Sequence, residues 1–341
     1  MLSKVKYIVG IIYFFVSCNL QRSEFSTNEL NISGIKVDIG CMVGLANDFI
    51  YIDSLLLFYD RFDNHHVTVF DTKNKQFVRR FISQGNGPGE AVPPLRLFLS
   101  TAAQQIYALQ TQTGYLNVYE SYDIINKDNI IPEQVFFEDR PLYIKKIKDG
   151  YIGIGMFDDG RFRLYDSVGN IISAFGKYPF RGEEMDHMGR FFIYQGFVGT
   201  STDGNYFAIG TSYCDNLEFY RIESGRAELI KKYETYDVSA VIHGNRIRID
   251  DNCIMNYFAA YGGEYCYMLH SGKTYLEHGR FPFGGSRIIV FDWNGKYLRS
   301  YKSEEVIMSF CVDEENNIIY ALVRDDNDEN GGGFSIVQFK I

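Results

Sequence analysis

The segment Ile289-Val290-Phe291-Asp292-Trp293-Asn294-Gly295-Lys296 shows most clearly the pattern from which the fold is predicted. An alternating apolar strand ends in an aromatic residue and an aspartate, and a short polar turn leads into a second strand over residues 297–301. Asn-Gly turns match the right-handed twist of two paired strands. The stretch therefore predicts a β-hairpin.

The same pattern recurs along the chain. Strong copies lie at residues 67–81 and 163–175, and weaker copies lie at residues 116–119, 217–225 and 334–339. An apolar strand precedes each copy, as Phe49-Ile50-Tyr51-Ile52 precedes the first. The six units have an average spacing of about 54 residues between Phe70 and Phe339. A period of this length, built of four strands, predicts an all-β, six-bladed β-propeller of four-stranded antiparallel blades.

The ends of the repeat array predict how the ring closes. The last unit ends at residues 334–341 without a spare strand, whereas residues 31–39 precede the first complete unit. Because a propeller must cover its terminal edges, we expect this N-terminal segment to join the last blade as its outer strand. The alternative architecture, a two-sheet sandwich with an added domain, does not require a sixfold recurrence.

The N-terminus has the pattern of an export signal. Lys4 and Lys6 give a short basic region, residues 7–16 are almost wholly apolar, and Phe15-Val16-Ser17-Cys18 resembles a lipobox. The apolar run is about half as long as a membrane-spanning helix requires. We therefore expect a lipoprotein signal peptide and lipidation of Cys18. An ordinary cleaved signal peptide or a buried N-terminal strand is the alternative.

This signal divides the chain into three predicted parts. They are a signal peptide over residues 1–17, a lipidated N-terminus and linker over residues 18–30, and the propeller domain over residues 31–341. Acyl chains on Cys18 would anchor the protein to a membrane. We expect a lipoprotein of the bacterial cell envelope, in the outer membrane and facing the periplasm or the cell surface.

The charge of the chain argues against nucleic acid as a partner. The full chain carries −9, and removal of residues 1–17, which hold two lysines and no acidic residue, leaves −11. No basic cluster offsets this excess of negative charge, which repels phosphate backbones.

The cysteines do not form a recognisable framework. Five follow Cys18, at Cys41, Cys214, Cys253, Cys266 and Cys311. An odd number cannot pair completely within one chain, and no Cys/His spacing indicates zinc. We expect buried free thiols, and a disulfide between Cys253 and Cys266 is the alternative.

The chain resembles the Bacteroidetes lipoproteins that carry a TolB-like six-bladed propeller, which are similar in shape to NHL-repeat proteins. The resemblance rests on the Gly-rich segment at residues 84–90, the hairpin at residues 291–296 and the segment at residues 311–321. It covers nearly the whole mature chain. It implies the propeller fold and an envelope location, and it implies no particular activity, because most members have no known function.

Three polar motifs have structural explanations that we prefer to ligand binding. Residues 85–90 lack the spacing of a phosphate loop, so we expect an inter-blade turn with positive φ at its glycines and Glu90 as a local acceptor. In Asp63-Asn64-His65-His66 the adjacent imidazoles point to opposite faces, which suggests an exposed turn. Residues 325–330 lack the mid-loop glycine and distant glutamate of an EF-hand, and residues 331–333 after them are typical of a hairpin tip. We therefore predict no metal and no cofactor. The alternatives are a ligand site at residues 85–90, a metal site at residues 63–66 and a calcium site at residues 325–330.

The starts of the innermost strands predict the binding surface. We place them near residues 40–42, 95–97, 142–144, 196–198, 256–258 and 307–309. None of these segments carries a carboxylate to hold a divalent cation, and no nucleophile-elbow pattern occurs in the chain. They offer instead an aromatic face with a few polar points, namely Arg96, Tyr143, Phe197, Asn256, Tyr257 and Met308. Such a face suits an uncharged or anionic partner, and packing of the blade ends is the alternative.

Two long segments, residues 176–195 and 236–255, add candidate binding residues, because long loops on a rigid scaffold often carry function. We select Glu184 and His187 from the first. The sequence thus predicts a non-catalytic binding or scaffold protein that recognises a glycan, a peptide or a partner protein on a propeller face. The alternative is an envelope hydrolase or lyase that uses Glu184, Asp186 and His187.

Overall fold

The structure, a computed structural model, describes residues 25, 27–41, 43, 46–100, 102–180, 185–243, 246–279, 284–325 and 333–341. The predicted signal peptide, the predicted lipidation site Cys18 and the candidate Glu184 lie outside these residues, as does most of the acidic segment at residues 325–330. Within the described residues most of the regular secondary structure is strand, with three short helices.

The strands follow one another in units of four. The first two strands among the described residues are β1 (Glu29–Ile32) and β2 (Gly34–Lys36). The first unit holds β3 (Asn47–Ile52), β4 (Leu55–Tyr59), β5 (His65–Asp71) and β6 (Gln76–Ser83). The second holds β7 (Leu95–Ser100), β8 (Gln105–Gln110), β9 (Tyr115–Glu120), the helix α1 (Ser121–Asn126) and β10 (Glu133–Phe136). The third holds β11 (Tyr143–Ile147), β12 (Gly150–Ile154), β13 (Phe162–Tyr165) and β14 (Ile171–Phe175).

The second half of the chain carries the longer insertions. Helix α2 (His187–Tyr194) precedes the fourth unit, which holds β15 (Gly196–Thr200), β16 (Tyr206–Thr211), β17 (Asn216–Glu223) and β18 (Arg226–Glu234). A separate hairpin of β19 (Ala240–His243) and β20 (Arg246–Ile249) follows. The last strands are β21 (Tyr257–Gly262), β22 (Cys266–His270), β23 (Gly285–Phe291), β24 (Tyr297–Asp313), β25 (Ile318–Asp325) and β26 (Gly333–Lys340), with α3 (Tyr275–His278) after β22.

Consecutive strands pair antiparallel within each unit. Among the described residues, the first four units form four separate four-stranded sheets. The long strand β24 serves two units, because residues 297–302 pair with β23 and residues 307–313 pair with β25. The predicted all-β class with four-stranded antiparallel sheets is confirmed.

The N-terminal strands join the last two units. β2 pairs antiparallel with β26, with Gly34 opposite Phe339, and a side chain at Gly34 would collide with Val337. This is the place predicted for the early segment, and closure of the whole ring by this pairing stays a prediction. β1 pairs in parallel with residues 300–303 of β24. It begins at Glu29, shortly before the predicted domain start at residue 31. The predicted domain boundaries stay a prediction.

The aspartate of the recurring hairpin has a structural role. In the turn after β23, Oδ1 of Asp292 accepts hydrogen bonds from the backbone N–H groups of Asn294 and Lys296, at 3.0 and 2.9 Å. Asp166 and Asp71 accept two backbone hydrogen bonds each in the same way. A short acceptor side chain at the start of a turn satisfies N–H groups that no strand can pair. The repeated aspartate therefore fixes the repeated hairpin.

The Gly-rich segment forms the predicted turn. Glu90 accepts a hydrogen bond of 2.8 Å from the N–H of Gly87, and Gly89 has a φ of +81°. The neighbouring histidine motif is only partly as predicted. Its imidazoles do diverge, but His66 is fully buried and its Nε2 lies 2.9 Å from the carbonyl oxygen of Ala91. The prediction that this motif is an exposed turn is therefore wrong for His66, which ties β5 to the Gly-rich segment.

The cysteines that the structure describes are all free thiols. Cys214, Cys253, Cys266 and Cys311 are buried, and Cys41 is partly exposed. The alternative of a disulfide between Cys253 and Cys266 is therefore wrong for this structure. Burial raises the pKa of the Cys253 thiol, and Cys253 packs in the apolar interior as a small hydrophobic residue.

Candidate functional site

A cavity of about 560 Å³ lies at the N-terminal ends of the six innermost strands. These strands are β3, β7, β11, β15, β21 and residues 307–313 of β24, and each contacts the next along the chain. All six contribute residues to the cavity wall. The walls are largely aromatic, with Phe49, Phe98, Tyr143, Phe197, Phe258 and Phe310 among the lining residues. A few polar and charged side chains lie between these rings.

The predicted strand starts are right in five cases and wrong in one. The first inner strand begins at Asn47, not near residues 40–42, and it brings Asp48 to the cavity. The expectation that no inner strand offers a carboxylate is therefore wrong. The apolar pair at Cys41 and Met42 suggested a strand start, whereas the inner strand begins a few residues later in the sequence.

Two neighbouring strands build the charged corner of the cavity with a reciprocal arrangement. β7 contributes Arg96 and Phe98, and β11 contributes Tyr143 and Lys145. In each strand the two residues are two positions apart and therefore share a face. The guanidinium Cζ of Arg96 lies 4.7 Å from the ring centroid of Tyr143, and Nζ of Lys145 lies 5.4 Å from that of Phe98. Each strand thus supplies one cation and one aromatic ring, and the cation of each strand lies over the ring of the other strand.

Asp48 reaches this corner because its strand is locally irregular. The register of β3 against β4 shifts between Asn47 and Ile50, and Asp48 has a φ of +48°. A bulge of this kind redirects a side chain at the end of a strand, and aspartate tolerates positive φ better than most residues. Oδ2 of Asp48 accepts a hydrogen bond of 3.1 Å from the N–H of Leu97, and Oδ1 lies 3.7 Å from Nη1 of Arg96.

Arg96 is held on two sides. Besides its ion pair with Asp48, its Nη2 donates a hydrogen bond of 3.0 Å to the hydroxyl of Tyr143. Burial raises the pKa of the Tyr143 hydroxyl, and the nearby Arg96 only partly opposes this shift. Tyr143 therefore stays a neutral phenol at physiological pH, able to accept from Arg96 and to donate to a ligand.

Lys145 has fewer polar partners than the other two charged residues of the cavity, Asp48 and Arg96. Apart from the Phe98 ring, no described residue offers its Nζ a hydrogen-bond acceptor or a carboxylate within bonding distance. The side chain keeps some exposed surface because it lines the cavity, yet protein surrounds it closely. Burial lowers the pKa of Lys145 to about 8, with Arg96 acting in the same direction and Asp48 opposing both.

The structure brings four of the predicted binding residues to one place. Arg96, Tyr143, Phe197 and Met308 line the cavity. Asn256 and Tyr257 are not brought to it. The side chain of Asn256 is buried between Tyr236 and the backbone of Ile254. Tyr257 is 1% exposed and lies within the core.

A bulge explains why Phe258 replaces Tyr257 in the cavity wall. The register of β21 against β22 shifts between Tyr257 and Ala259, which places Phe258 among the lining residues. A similar shift between Ile307 and Ser309 surrounds Met308 in β24. Strand alternation alone cannot locate such bulges, so sequence reasoning chose the right strand but the wrong aromatic residue.

The candidates in the long segments lie elsewhere. His187 begins α2, is about half-exposed, and its Nδ1 lies 3.3 Å from Oδ1 of Asp158. Asp186 accepts a hydrogen bond of 2.7 Å from the N–H of Gly189 and thereby caps this helix. Neither residue lines the cavity at the inner strands. The other end of α2 does approach it, since the ring of Phe192 stacks on Tyr213, which lines the cavity.

The two long segments also pack on each other. The hydroxyl of Tyr194 donates a hydrogen bond of 2.9 Å to Asp237, which joins α2 to the stretch before β19.

Sequence reasoning missed Lys145, Asp48 and Tyr213 as cavity residues. The period of two that makes Tyr143 a cavity residue also selects Lys145, so that signal was available.

A comparison with known protein families identifies the family of this chain. The family described as TolB-like 6-blade propeller-like matches residues 47–315. The chain belongs to this TolB-like propeller family. The match spans β3 to the end of β24 and therefore includes all six inner strands that form the cavity.

Solved structures similar to this TolB-like propeller share its fold. A protein of Bacteroides fragilis named as an exported protein has 15% identity and a TM-score of 0.55, and the match covers 90% of this chain and 94% of that chain. A DUF4221 family member from Bacteroides vulgatus has 11% identity and a TM-score of 0.56, with 91% and 96% covered. Comparison with curated proteins gives no match.

This TolB-like propeller also has a smaller cavity of about 230 Å³ at the C-terminal ends of inner strands. Ser100, Lys146 and Thr200 are among its lining residues. In the described part of the chain, no group of three or more His, Cys, Asp and Glu side chains is arranged to hold a metal ion. No described helix is long and apolar enough to cross a membrane.

Proposed function

We propose that this TolB-like propeller is a non-catalytic binding protein whose ligand occupies the cavity at the start of the six inner strands. The observation that carries the proposal is the composition of its wall. A concave site of about 560 Å³ combines many aromatic side chains with three charged ones, Asp48, Arg96 and Lys145. Ligand sites of proteins are typically apolar clefts of this size with a few polar groups that fix orientation.

The engagement of the cavity carboxylate favours binding over catalysis. The carboxylate of Asp48 is already engaged by Arg96 and by the N–H of Leu97, so it is poorly placed to act as a free base. The described residues of the rival hydrolase or lyase hypothesis, Asp186 and His187, also lie away from this cavity. Asp186 caps α2, and His187 lies outside the cavity wall.

The ligand classes that suit this wall are a glycan, a peptide or a segment of a partner protein. Aromatic rings cover sugar faces and apolar side chains equally well, and the charged corner would orient either. We propose this recognition in the bacterial cell envelope, with the propeller tethered through lipid on Cys18. The lipobox-like sequence supports the tether, and the similar fold of a Bacteroides protein named as exported agrees with it.

A cavity-filling variant tests the binding role. Ser309 lines the cavity, whereas Ser100 lines the smaller one at the opposite end. We expect S309W to abolish the binding of oligosaccharides and short peptides that native mass spectrometry detects on the wild-type protein. The matched variant S100W should retain it. Binding that survives S309W, or reproducible turnover of any bound compound by the wild-type protein, would overturn the proposal.

A separate measurement tests the anchor. The intact mass of the protein extracted from membranes should show acyl groups on Cys18, and C18S should release the protein into the soluble fraction. An unmodified mature N-terminus would contradict the lipoprotein assignment while leaving the binding role unaffected.

A further inference from the structure

We infer that Lys145 is an anchor for an anionic group, so that the ligand is an acid, such as a carboxylate or sulfonate, carried on an aromatic or apolar body. This inference rests on the proposed binding function and specifies its ligand class. Lys145 was not among the residues selected from the sequence. Support comes from the balance of charge in the cavity, the contacts of Lys145 and the residues of the surrounding walls.

The charge balance leaves one positive charge uncompensated. Asp48, Arg96 and Lys145 are the charged residues among those that line the cavity. Asp48 lies 3.7 Å from Arg96 and neutralises it at close range. Lys145 therefore gives the cavity a net positive charge, inside a protein whose overall charge is −9. A cationic site in an acidic protein selects an anion from among otherwise similar ligands.

The contacts of Lys145 leave its ammonium group available. A lysine ammonium carries three N–H donors, and the one contact seen here, with the Phe98 ring, satisfies none of them by a hydrogen bond. The next residue in β11 provides a contrast. Lys146 points to the opposite side of the strand, where its Nζ lies 3.3 Å from the carbonyl oxygen of Gly150 and 4.8 Å from the ring centroid of Tyr151.

The partial burial of Lys145 makes an anionic ligand favourable. Burial already penalises the charged form of this lysine, which lowers its pKa. An anion placed beside the ammonium would remove part of that penalty, since opposite charges attract more strongly where water is scarce. Tyr143, two residues away on the same face, offers a hydroxyl to the same group.

The rest of the wall favours an apolar or aromatic body for the acid. Phe197, Tyr213 and Phe258 also line the cavity. Aromatic walls contribute binding energy through buried area and ring contacts. A small hydrophilic anion would leave these surfaces wet, so the structure favours an amphipathic acid.

Two dyes of the same ring system test this inference. The first, 8-anilinonaphthalene-1-sulfonate, carries an acidic group, and the second, N-phenyl-1-naphthylamine, lacks it. Both fluoresce more strongly in apolar surroundings, so titrations report the Kd of each dye. A hydrogen bond to a charged group contributes about 1.5–3 kcal/mol, or about tenfold or more in affinity. We therefore expect K145M to weaken the sulfonate at least about tenfold and to leave the neutral dye unchanged, while K145R retains the affinity for the sulfonate.

The control is K146M, which removes the same charge from the adjacent position on the opposite side of β11. It should leave both dyes unaffected, and circular dichroism melts should show that all variants remain folded. Equal weakening by K145M and K146M would show a general charge effect and overturn the inference. If S309W removes both dyes but K145M affects neither, the anion anchor is wrong and the cavity remains the binding site. If S309W affects neither dye, the proposed binding site itself is wrong.

Discussion

Arg161 and Glu218 form a buried ion pair between two neighbouring blades, with 2.8 Å between Nη1 and Oε2. Their side chains are 1% and 3% exposed. Arg161 precedes β13 in the third sheet, and Glu218 lies in β17 of the fourth. The hydroxyl of Tyr220 also donates a hydrogen bond of 2.8 Å to Oε2 of Glu218. The pair therefore joins two sheets that share no strand-to-strand hydrogen bonds.

Replacing Arg161 alone should be strongly destabilising. R161M leaves the buried Glu218 with the more distant and partly exposed Lys232, whose Nζ lies 3.8 Å from Oε1. Breaking a buried pair by removing its close partner costs about 3–5 kcal/mol. Urea unfolding followed by circular dichroism would measure the loss. The double variant R161M/E218L removes both charges and should recover much of the stability. A double variant as unstable as R161M would show that packing, and not the unpaired charge, explains the loss.

This pair also shows where prediction from the sequence ends. The hairpins around Asp292 and Asp166 were predictable, because the aspartate and the glycine that shape each turn are neighbours in the chain. The pairing of Arg161 with Glu218 depends on how two blades face each other, which local patterns do not encode. The same holds for the cavity. The alternation of β7 and β11 identifies Arg96 and Tyr143, but the bulges that bring in Asp48 and Phe258 follow from strand register.

The turn aspartates should contribute modestly and individually to stability. D292A removes the acceptor of two backbone hydrogen bonds, those from Asn294 and Lys296. Loss of such a local acceptor costs about 1 kcal/mol. D292N keeps a side-chain oxygen and should lose clearly less. A lower urea midpoint for D292A than for D292N would confirm the role, and equal midpoints would contradict it.

Phe25 should anchor the segment before β1 to β18 and β23, the strands that hold Tyr233 and Phe291. Its ring lies 5.3 Å from the ring centroids of both Tyr233 and Phe291. We expect F25A to lower the free energy of unfolding by about 1–3 kcal/mol, because an aromatic ring that packs on two others loses both buried area and ring contacts. L30A is a suitable control, since Leu30 in β1 is largely exposed and should be replaceable without loss. Similar unfolding midpoints for both variants would show that Phe25 contributes no anchoring.

The affinity of the cavity for an anion should fall as the pH rises through about 8. Burial lowers the pKa of Lys145 to this value, and the other charged groups that line the cavity are Asp48 and Arg96. Above it the lysine is neutral and no longer attracts a sulfonate. Burial raises the pKa values of Tyr143 and Tyr213, which therefore remain neutral over the same range. The Kd of the sulfonate dye should rise between pH 7 and 9 for the wild-type protein and stay constant for K145R, because arginine remains charged. Parallel curves for the two proteins would contradict the assignment.

Lys145 should also make the fold less stable than it would be with a neutral residue at this position. Its pKa is about 8 in the folded chain against 10.5 for an ordinary lysine, so the unfolded chain binds the proton more tightly. The contribution of Lys145 to stability is therefore lowest below pH 8, where the folded state must carry the buried charge, and this contribution rises as the pH increases from 8 to 10.5. K145M removes this cost and should raise the free energy of unfolding at pH 7 by up to about 3 kcal/mol. The gain should shrink at pH 10, whereas K148M, at an exposed position, should show no such change. A K145M variant that is less stable than the wild-type protein at both pH values would show that the ammonium is already stabilised in the free protein. Lys145 would then not need an anionic ligand.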